Sequence, residues 1–181
     1  MTETKKKEPG MARLVIVLFA ISAVTALALG LVNMVTAPAI AANEEKTRNE
    51  AMAEVLPADS YEQVSYTGGD ATVEAVYQAG DAGYVVQVSP ATSFNSGLTI
   101  MVGVDANGAC SGISIVSTSE TSGLGANASR PAFKDQFVGK TGEVHVTKDG
   151  GDIDAITGAT ITSRGVCEAV TSAIAAAASM G

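Results

Sequence analysis

The feature that most constrains this chain is an uncharged apolar segment close to its N-terminus. From Leu14 to Thr36 the sequence carries no charged residue and is dominated by Leu, Val, Ile, Ala and Phe. A helix of about 20 apolar residues crosses the hydrocarbon core of a bilayer, and this segment is long enough to do so. The sequence therefore predicts a transmembrane helix over residues 14–36.

Basic residues predict the orientation of this helix. They precede it at Lys5, Lys6, Lys7 and Arg13. Because Lys and Arg collect on the cytoplasmic side of membrane segments, we expect residues 1–13 in the cytoplasm and the chain after Pro38 outside. The alternative is a cleaved signal peptide with its cleavage site at residues 39–41. Signal peptides have apolar regions of about 7–15 residues, so the longer segment favours an uncleaved anchor in the lipid bilayer.

The rest of the chain is acidic. The net charge is -8, and residues 14–181 hold seven basic and seventeen acidic residues. Phosphate contacts need clustered Lys and Arg, so we expect no nucleic-acid partner. The single histidine, His145, gives no basis for a His-rich metal site or a Ser-His-Asp triad.

Beyond the membrane segment, the sequence predicts a helical stalk over residues 37–57 and an extracytoplasmic domain over residues 58–181. Pro57 ends the charged stalk helix. Short β-branched segments bounded by glycine-containing turns predict strands. They are Val73–Gln78, Tyr84–Val88, Leu98–Val104, Ile113–Val116 and Val144–Thr147.

Two helices are predicted later in this domain. A short one, Arg130–Phe137, begins at Pro131, and its Phe133 and Phe137 are expected in the core. The amphipathic segment from Ser163 to Met180 predicts a helix that packs on the sheet. Strands followed by a helix indicate an α+β fold with a mainly antiparallel sheet and a C-terminal helix.

The candidate site is the segment Asp154-Ala-Ile-Thr157-Gly158-Ala159-Thr160. Its small residues allow a large molecule to approach the backbone closely. An unactivated threonine hydroxyl is a poor nucleophile, so Thr160 is interpreted as an acceptor for a group that another enzyme attaches. Alternatively, Thr157 and Thr160 are ordinary turn and helix-cap residues.

A second candidate is the loop Ser117–Gly125, which is rich in small and hydroxyl residues and has one charge, Glu120. Gly123 and Gly125 permit its backbone to contact a planar ligand. A simple surface turn is the alternative.

These segments resemble one known family. Asp-x-x-Thr-Gly-Ala-Thr resembles the flavinylation motif of the FMN-binding domain in the G subunit of the Rnf electron-transport complex, and in the related C subunit of the sodium-pumping NADH:quinone oxidoreductase. The loop resembles the Glu-Thr-Pro-Gly-Leu-Gly signature of that family, with Ser122 in place of proline.

The resemblance implies a cofactor and roles for residues. It implies FMN joined through its phosphate to Thr160 by a flavin transferase that uses FAD. Thr157, Gly158 and Ala159 would give the transferase access, and Asp154 would order the segment or help the transfer. The isoalloxazine ring would be bordered by Glu120, Thr121, Gly123, Leu124 and Gly125.

The resemblance also implies partners. The chain would be one component, inactive alone, of a complex with other membrane and iron–sulfur subunits. That complex would couple ferredoxin oxidation and NAD reduction to sodium or proton export. The rival interpretations are a membrane-anchored binding or scaffold domain without flavin, and an FMN-carrying electron-transfer protein of another system. The shortness of the chain favours the Rnf type over the sodium-pumping quinone reductase.

Several polar and cysteine side chains in or near the last helix have roles that the sequence leaves open. Thr162 or Ser163 is expected to cap the last helix, whose N-terminal amides favour a phosphate. Arg164 either neutralises that phosphate or is exposed to solvent. Cys110 and Cys167 form no Cys-x-x-Cys motif; they are either a disulfide or two buried small apolar residues.

Overall fold

The structure, a computed structural model, describes residues 10–93, 97–118 and 125–180. The basic residues Lys5 to Lys7 and the loop residues 119–124 lie outside the described residues. The chain divides into two compact units, Met1–Glu45 and Lys46–Gly181. We describe each unit by itself.

The first described element is a long helix, α1 (Met11–Val55), which contains Pro38. The predicted membrane segment and the predicted charged helix after it therefore belong to one element. The most apolar 18-residue stretch of α1 has a mean hydropathy of 2.7, and none of it is buried. By length and composition this helix is able to span a membrane once.

The second unit contains a five-stranded antiparallel sheet in which neighbours along the chain are neighbours in space. Its strands are β1 (Glu62–Val64), β2 (Val73–Gln78), β3 (Gly83–Val88), β4 (Thr99–Asp105) and β5 (Cys110–Ser117). The helices that follow are α2 (Pro131–Lys134) and α3 (Thr160–Ala178). The predicted α+β fold with a mainly antiparallel sheet is confirmed.

One predicted strand is wrong. Residues Val144–Thr147 make a single parallel bridge, between Val146 and Ile153, and then enter a 3-10 turn, Thr147–Asp149. The turn forms because Gly150 has φ 87° and reverses the chain at once. Gly151 then lies so close to the His145 carbonyl that a Cβ atom would clash with it. This segment therefore makes an isolated bridge and is not a strand of the five-stranded sheet.

Alternate residues of the strands point to two separate cores. One core contains Val86, Ile100 and Val102 and is covered by α3 and by the buried rings of Phe133 and Phe137. The expectation that both phenylalanines belong to the core is confirmed. The other core contains Val85 and Met101 and is covered by the last turns of α1.

The end of α1 fits closely on the sheet because two glycines face it. Gly103 of β4 lies opposite Gly112 of β5, and a Cβ atom on Gly103 would come within 2.5 Å of the Val55 carbonyl oxygen. The Ser111 hydroxyl donates a hydrogen bond of 2.6 Å to that same oxygen. These contacts attach the C-terminal turn of α1 to the two strands.

Both cysteines are free and buried. Burial raises the pKa of the Cys110 thiol to about 11 and that of the Cys167 thiol to about 12. Of the two interpretations from sequence, the structure agrees with small apolar core residues.

Candidate functional site

The candidate motif forms a tight turn directly ahead of α3. The Ala159 N–H donates a hydrogen bond of 2.9 Å to the Ile156 carbonyl, which closes a four-residue turn. Gly158 is the third residue of this turn and has φ 80°, as type II turns require. The glycine of the motif is therefore needed for the backbone conformation. Thr157 and Gly158 are exposed at its tip.

Ser163 fastens this turn to the helix. Its buried hydroxyl accepts a hydrogen bond of 3.0 Å from the Ile156 N–H and donates one of 3.0 Å to the Ala159 carbonyl. The predicted cap at Thr162 or Ser163 is wrong, because α3 begins at Thr160 and Ala159, whose methyl group cannot accept a hydrogen bond, occupies the cap position. Ser163 lies inside the helix and reaches back to the preceding turn.

Gln136 holds the other end of the motif. Its side-chain oxygen accepts a hydrogen bond of 2.7 Å from the Asp154 N–H, and its side-chain nitrogen donates one of 3.4 Å to the Asp154 carbonyl. The Asp154 side chain itself is exposed. Asp154 and Thr160 are thus the two ends of a segment whose backbone is fixed at both ends.

Thr160 is the first residue of α3 and is half-buried. The Nζ atom of Lys148 donates a hydrogen bond of 3.4 Å to its hydroxyl oxygen. Because the cap position holds alanine, the N–H groups of the first turn receive no hydrogen bond from a cap side chain, and such groups favour an anion. A hydroxyl, a cation and a helix N-terminus therefore meet at one point.

Arg164, one turn further along α3, is already engaged. Its guanidinium donates hydrogen bonds of 2.6 Å and 2.7 Å to the two carboxylate oxygens of Asp149. This guanidinium holds the pKa of Asp149 below its usual range, and Asp149 raises the pKa of Arg164. Arg164 is partly exposed to solvent and paired with a carboxylate.

A groove of about 370 Å³ opens beside this pair. It lies between α3 and residues 143–146, and Cys167, Glu168 and Thr171 line its helix side. The Glu168 carboxylate is already hydrogen-bonded, because it accepts from the N–H groups of Ala91 and Thr92. Within the described residues, no group of three or more His, Cys, Asp or Glu side chains is arranged to hold a metal ion.

The glycine-rich loop is described only at its end. Glu120, Thr121, Gly123 and Leu124 lie outside the described residues, and their assignment to the flavin ring stays a prediction. Gly125 is buried and begins a 3-10 turn, Gly125–Ser129, whose Ala128 belongs to the same core as Phe133. The turn joins this end of the loop to the core beneath α3.

Sequence reasoning missed Lys148, Asp149 and Gln136. All three lie outside the motif. Lys148 and Gln136 contact it through tertiary structure, and Asp149 pairs with Arg164 one turn beyond it. The signal available for Lys148 and Asp149 was the turn sequence Lys-Asp-Gly-Gly directly before the motif. Gln136 had no such signal, because its contact with Asp154 spans 18 residues of chain.

Comparison with known proteins shows which family this chain resembles. Residues 94–175 match the model of the FMN-binding domain, and residues 1–55 match the model of the RnfG N-terminal region. The G subunit of the Na+-translocating ferredoxin:NAD+ oxidoreductase complex of Acetobacterium woodii is 35% identical over 90% of this chain and 89% of its own length. The G subunit of the ion-translocating oxidoreductase complex of Methanosarcina acetivorans is 31% identical over 91% of this chain and 93% of its own.

A solved structure is more distant. The C subunit of the Na+-translocating NADH-quinone reductase of Parabacteroides distasonis is 28% identical, with a TM-score of 0.44 over 56% of this chain and 58% of that one. On the family models and the two relatives, the chain belongs to the family of G subunits of Rnf-type, ion-translocating oxidoreductase complexes.

Proposed function

We propose that this chain carries FMN joined through its phosphate to the Thr160 hydroxyl and relays electrons in an Rnf-type membrane complex. The complex would couple electron transfer from ferredoxin to NAD to the export of sodium or protons. One observation carries the proposal. Thr160 is the first residue of α3, its hydroxyl accepts a hydrogen bond from Lys148, and the turn that precedes it is exposed.

The residues present fit a phosphate ester at this position. The exposed Thr157 and Gly158 leave space on the approach to Thr160, while Gln136 and Ser163 fix the backbone on either side. FMN, when bound, supplies the one- and two-electron chemistry, and the protein supplies position and shielding. The loop residues Glu120 to Gly125 are proposed to border its ring.

The contacts of Thr160 also favour attachment by a separate enzyme. In the described part of the chain, no carboxylate or imidazole is hydrogen-bonded to its hydroxyl; the contact is with an ammonium group, which donates. A threonine needs an adjacent base to become a nucleophile. A flavin transferase that uses FAD as donor would provide that base.

We propose the membrane arrangement from the apolar segment of α1 and from the basic residues that precede it. We place residues 1–13 in the cytoplasm, residues 14–36 in the bilayer, and the stalk (37–57) and the FMN-binding domain (58–181) outside. A covalent bond suits an exported carrier, since flavin lost outside the cell is not readily replaced. Other membrane and iron–sulfur subunits would donate and accept its electrons, and the chain alone would not turn over ferredoxin or NAD.

The test expresses this chain in a host whose own copy has been deleted. Thr160→Ala removes the acceptor oxygen, and Thr160→Ser keeps it. We expect complexes with Thr160→Ala to contain all subunits but to lose ferredoxin-dependent NAD reduction by membranes. Thr160→Ser should retain activity together with flavin fluorescence of this chain on a denaturing gel. Full activity of assembled Thr160→Ala complexes would refute electron relay through this residue.

A further inference from the structure

We propose that Lys148, not Arg164, provides the positive charge at the flavin-attachment residue. This inference rests on the proposed function. Lys148 has two roles: it positions the Thr160 hydroxyl during flavin transfer, and it then pairs with the phosphodiester that forms. Lys148 is a positioning residue here, because it acts through Thr160.

The first support is the contact of Lys148 compared with those of the other lysines in its unit. Lys46, Lys134 and Lys140 each pair with a carboxylate, of Glu50, Glu54 and Asp152 respectively. The hydrogen bond of Lys148 goes to the Thr160 hydroxyl, at 3.4 Å. A hydroxyl carries no charge to neutralise the ammonium group, and the nearby Asp149 carboxylate is hydrogen-bonded to Arg164. Lys148 is therefore the lysine of this unit best placed to meet a new anion.

The second support is the rigidity of the backbone that carries Lys148. Lys148 is the central residue of the 3-10 turn Thr147–Asp149. The turn is closed by hydrogen bonds from the Asp149 N–H to the Val146 carbonyl, at 2.9 Å, and from the Gly150 N–H to the Thr147 carbonyl, at 3.2 Å. The bridge between Val146 and Ile153 joins it to the segment that leads into the motif. Lys148 is therefore built into the same local structure as Thr160.

The third support is that Arg164 is held elsewhere. Both carboxylate oxygens of Asp149 accept from its guanidinium, a paired geometry that is stronger than two separate neutral hydrogen bonds. Turning Arg164 toward a phosphate would break both contacts and leave Asp149 unpaired next to the incoming negative charge.

The transfer step then balances as follows. The Thr160 oxygen forms a bond to the phosphorus on the FMN side of the FAD diphosphate, while the bond from that phosphorus to the bridging oxygen breaks. AMP leaves with the bridging oxygen, and the hydroxyl proton passes to a base of the transferase. Lys148 donates to the Thr160 oxygen before the step and to a phosphodiester oxygen afterwards, and it exchanges no proton.

The experiment uses the full chain in detergent, purified without flavin and incubated with FAD and a flavin transferase. The variants are Lys148→Gln, Lys148→Arg and Arg164→Gln, with Lys46→Gln as the matched control for loss of one lysine charge in the same unit. We expect Lys148→Gln to lower the maximal rate of labelling roughly tenfold, as loss of one charge-assisted hydrogen bond does. Lys148→Arg should recover most of that rate, and Lys46→Gln should match wild type.

A second readout separates positioning from general damage. In the labelled proteins, the phosphorus-31 resonance of the phosphodiester should move in Lys148→Gln and stay in place in Lys46→Gln. Unchanged labelling rate and resonance in Lys148→Gln would overturn the inference, as would a loss found in Arg164→Gln instead. If wild type takes no label, the proposed function itself fails. Labelled wild type with an indifferent Lys148 refutes only the role of Lys148.

Discussion

Gly158→Ala tests whether the turn ahead of α3 presents Thr160 for modification. Gly158 has φ 80°, a conformation that costs an L-residue with a Cβ atom about 1–2 kcal/mol. Alanine also restricts the unfolded chain, which offsets roughly 0.4–1 kcal/mol. The expected net loss in the free energy of unfolding is about 1 kcal/mol, or a fall in Tm of about 3 °C for a unit of this size.

The functional effect of Gly158→Ala should exceed this loss of stability. The strain is relieved if the turn opens, which breaks the hydrogen bond from the Ala159 N–H to the Ile156 carbonyl and moves Thr160. A strain of about 1 kcal/mol lowers the equilibrium constant of the correct turn, relative to the open turn, about fivefold. Flavin labelling by a transferase should therefore slow by up to about fivefold, although nearly all molecules remain folded.

Gly139→Ala is the matched control. Gly139 has φ 80°, and an added Cβ would find no atom within 4 Å, so its strain should equal that at Gly158. Unfolding of both variants can be followed by tyrosine fluorescence, since all four tyrosines lie in the second unit and the chain has no tryptophan. We expect equal losses of stability and slow labelling of Gly158→Ala alone. Wild-type labelling of Gly158→Ala at that same loss of stability would refute the reasoning.

Three further predictions concern side-chain contacts in the second unit. Ser163→Ala should lower the free energy of unfolding by about 1–2 kcal/mol, measured by urea unfolding, because the partly buried Ile156 N–H loses its acceptor. A change below about 0.3 kcal/mol would contradict the contacts of Ser163. Lys134 donates a hydrogen bond to the Glu54 carboxylate and holds the pKa of Glu54 below its ordinary value of 4.5. The stabilisation that Glu54 gives to the folded state is therefore present above pH 4.5 and is lost as the pH falls through the lowered pKa. The stability difference between wild type and Glu54→Gln should therefore shrink from pH 7 to pH 3, and a pH-independent difference would contradict this ion pair. Gly103→Ala places a Cβ atom 2.5 Å from the Val55 carbonyl oxygen. It should lower the free energy of unfolding by about 1–3 kcal/mol and speed protease cleavage near the end of α1. Protease resistance equal to that of wild type would contradict the close packing.

The sheet and the helical core could be predicted because their signals are local. β2 was predicted with the bounds that it has, Val73–Gln78, from its β-branched residues and the glycines beyond it. The Asn107-Gly108 pair marked the turn between β4 and β5, where Gly108 has φ 79°. Phe133 and Phe137, spaced four apart, pack edge to face with ring centroids 5.2 Å apart.

Tertiary contacts decided what could not be predicted. Val144 to Thr147 has the residue types of a strand, yet its one ladder contact is the bridge to Ile153. Ser163 has the residue type of a cap, but its hydroxyl is used inside the helix, so α3 begins at Thr160. The sequence shows which positions are polar, whereas the tertiary structure determines which polar side chains contact each other.

The site was predictable only in part for the same reason. The motif identified Thr160, and the resemblance supplied a role for it. Sequence reasoning left Arg164 as either a partner of the phosphate or an exposed side chain. Its guanidinium pairs with Asp149, while Lys148, 12 residues before Thr160, donates a hydrogen bond to the Thr160 hydroxyl. A spacing of 12 residues across two turns carries no periodic signal.

The central claim is that FMN is bonded to Thr160, and intact-mass measurement tests it most directly. Wild type, Thr160→Ala and Thr157→Ala would each be co-expressed with a flavin transferase and purified from membranes. We predict the mass of one FMN phosphoester on wild type and Thr157→Ala, and none on Thr160→Ala. Unmodified wild type would contradict the account and favour a scaffold domain, and flavin retained on Thr160→Ala would move the attachment to another residue.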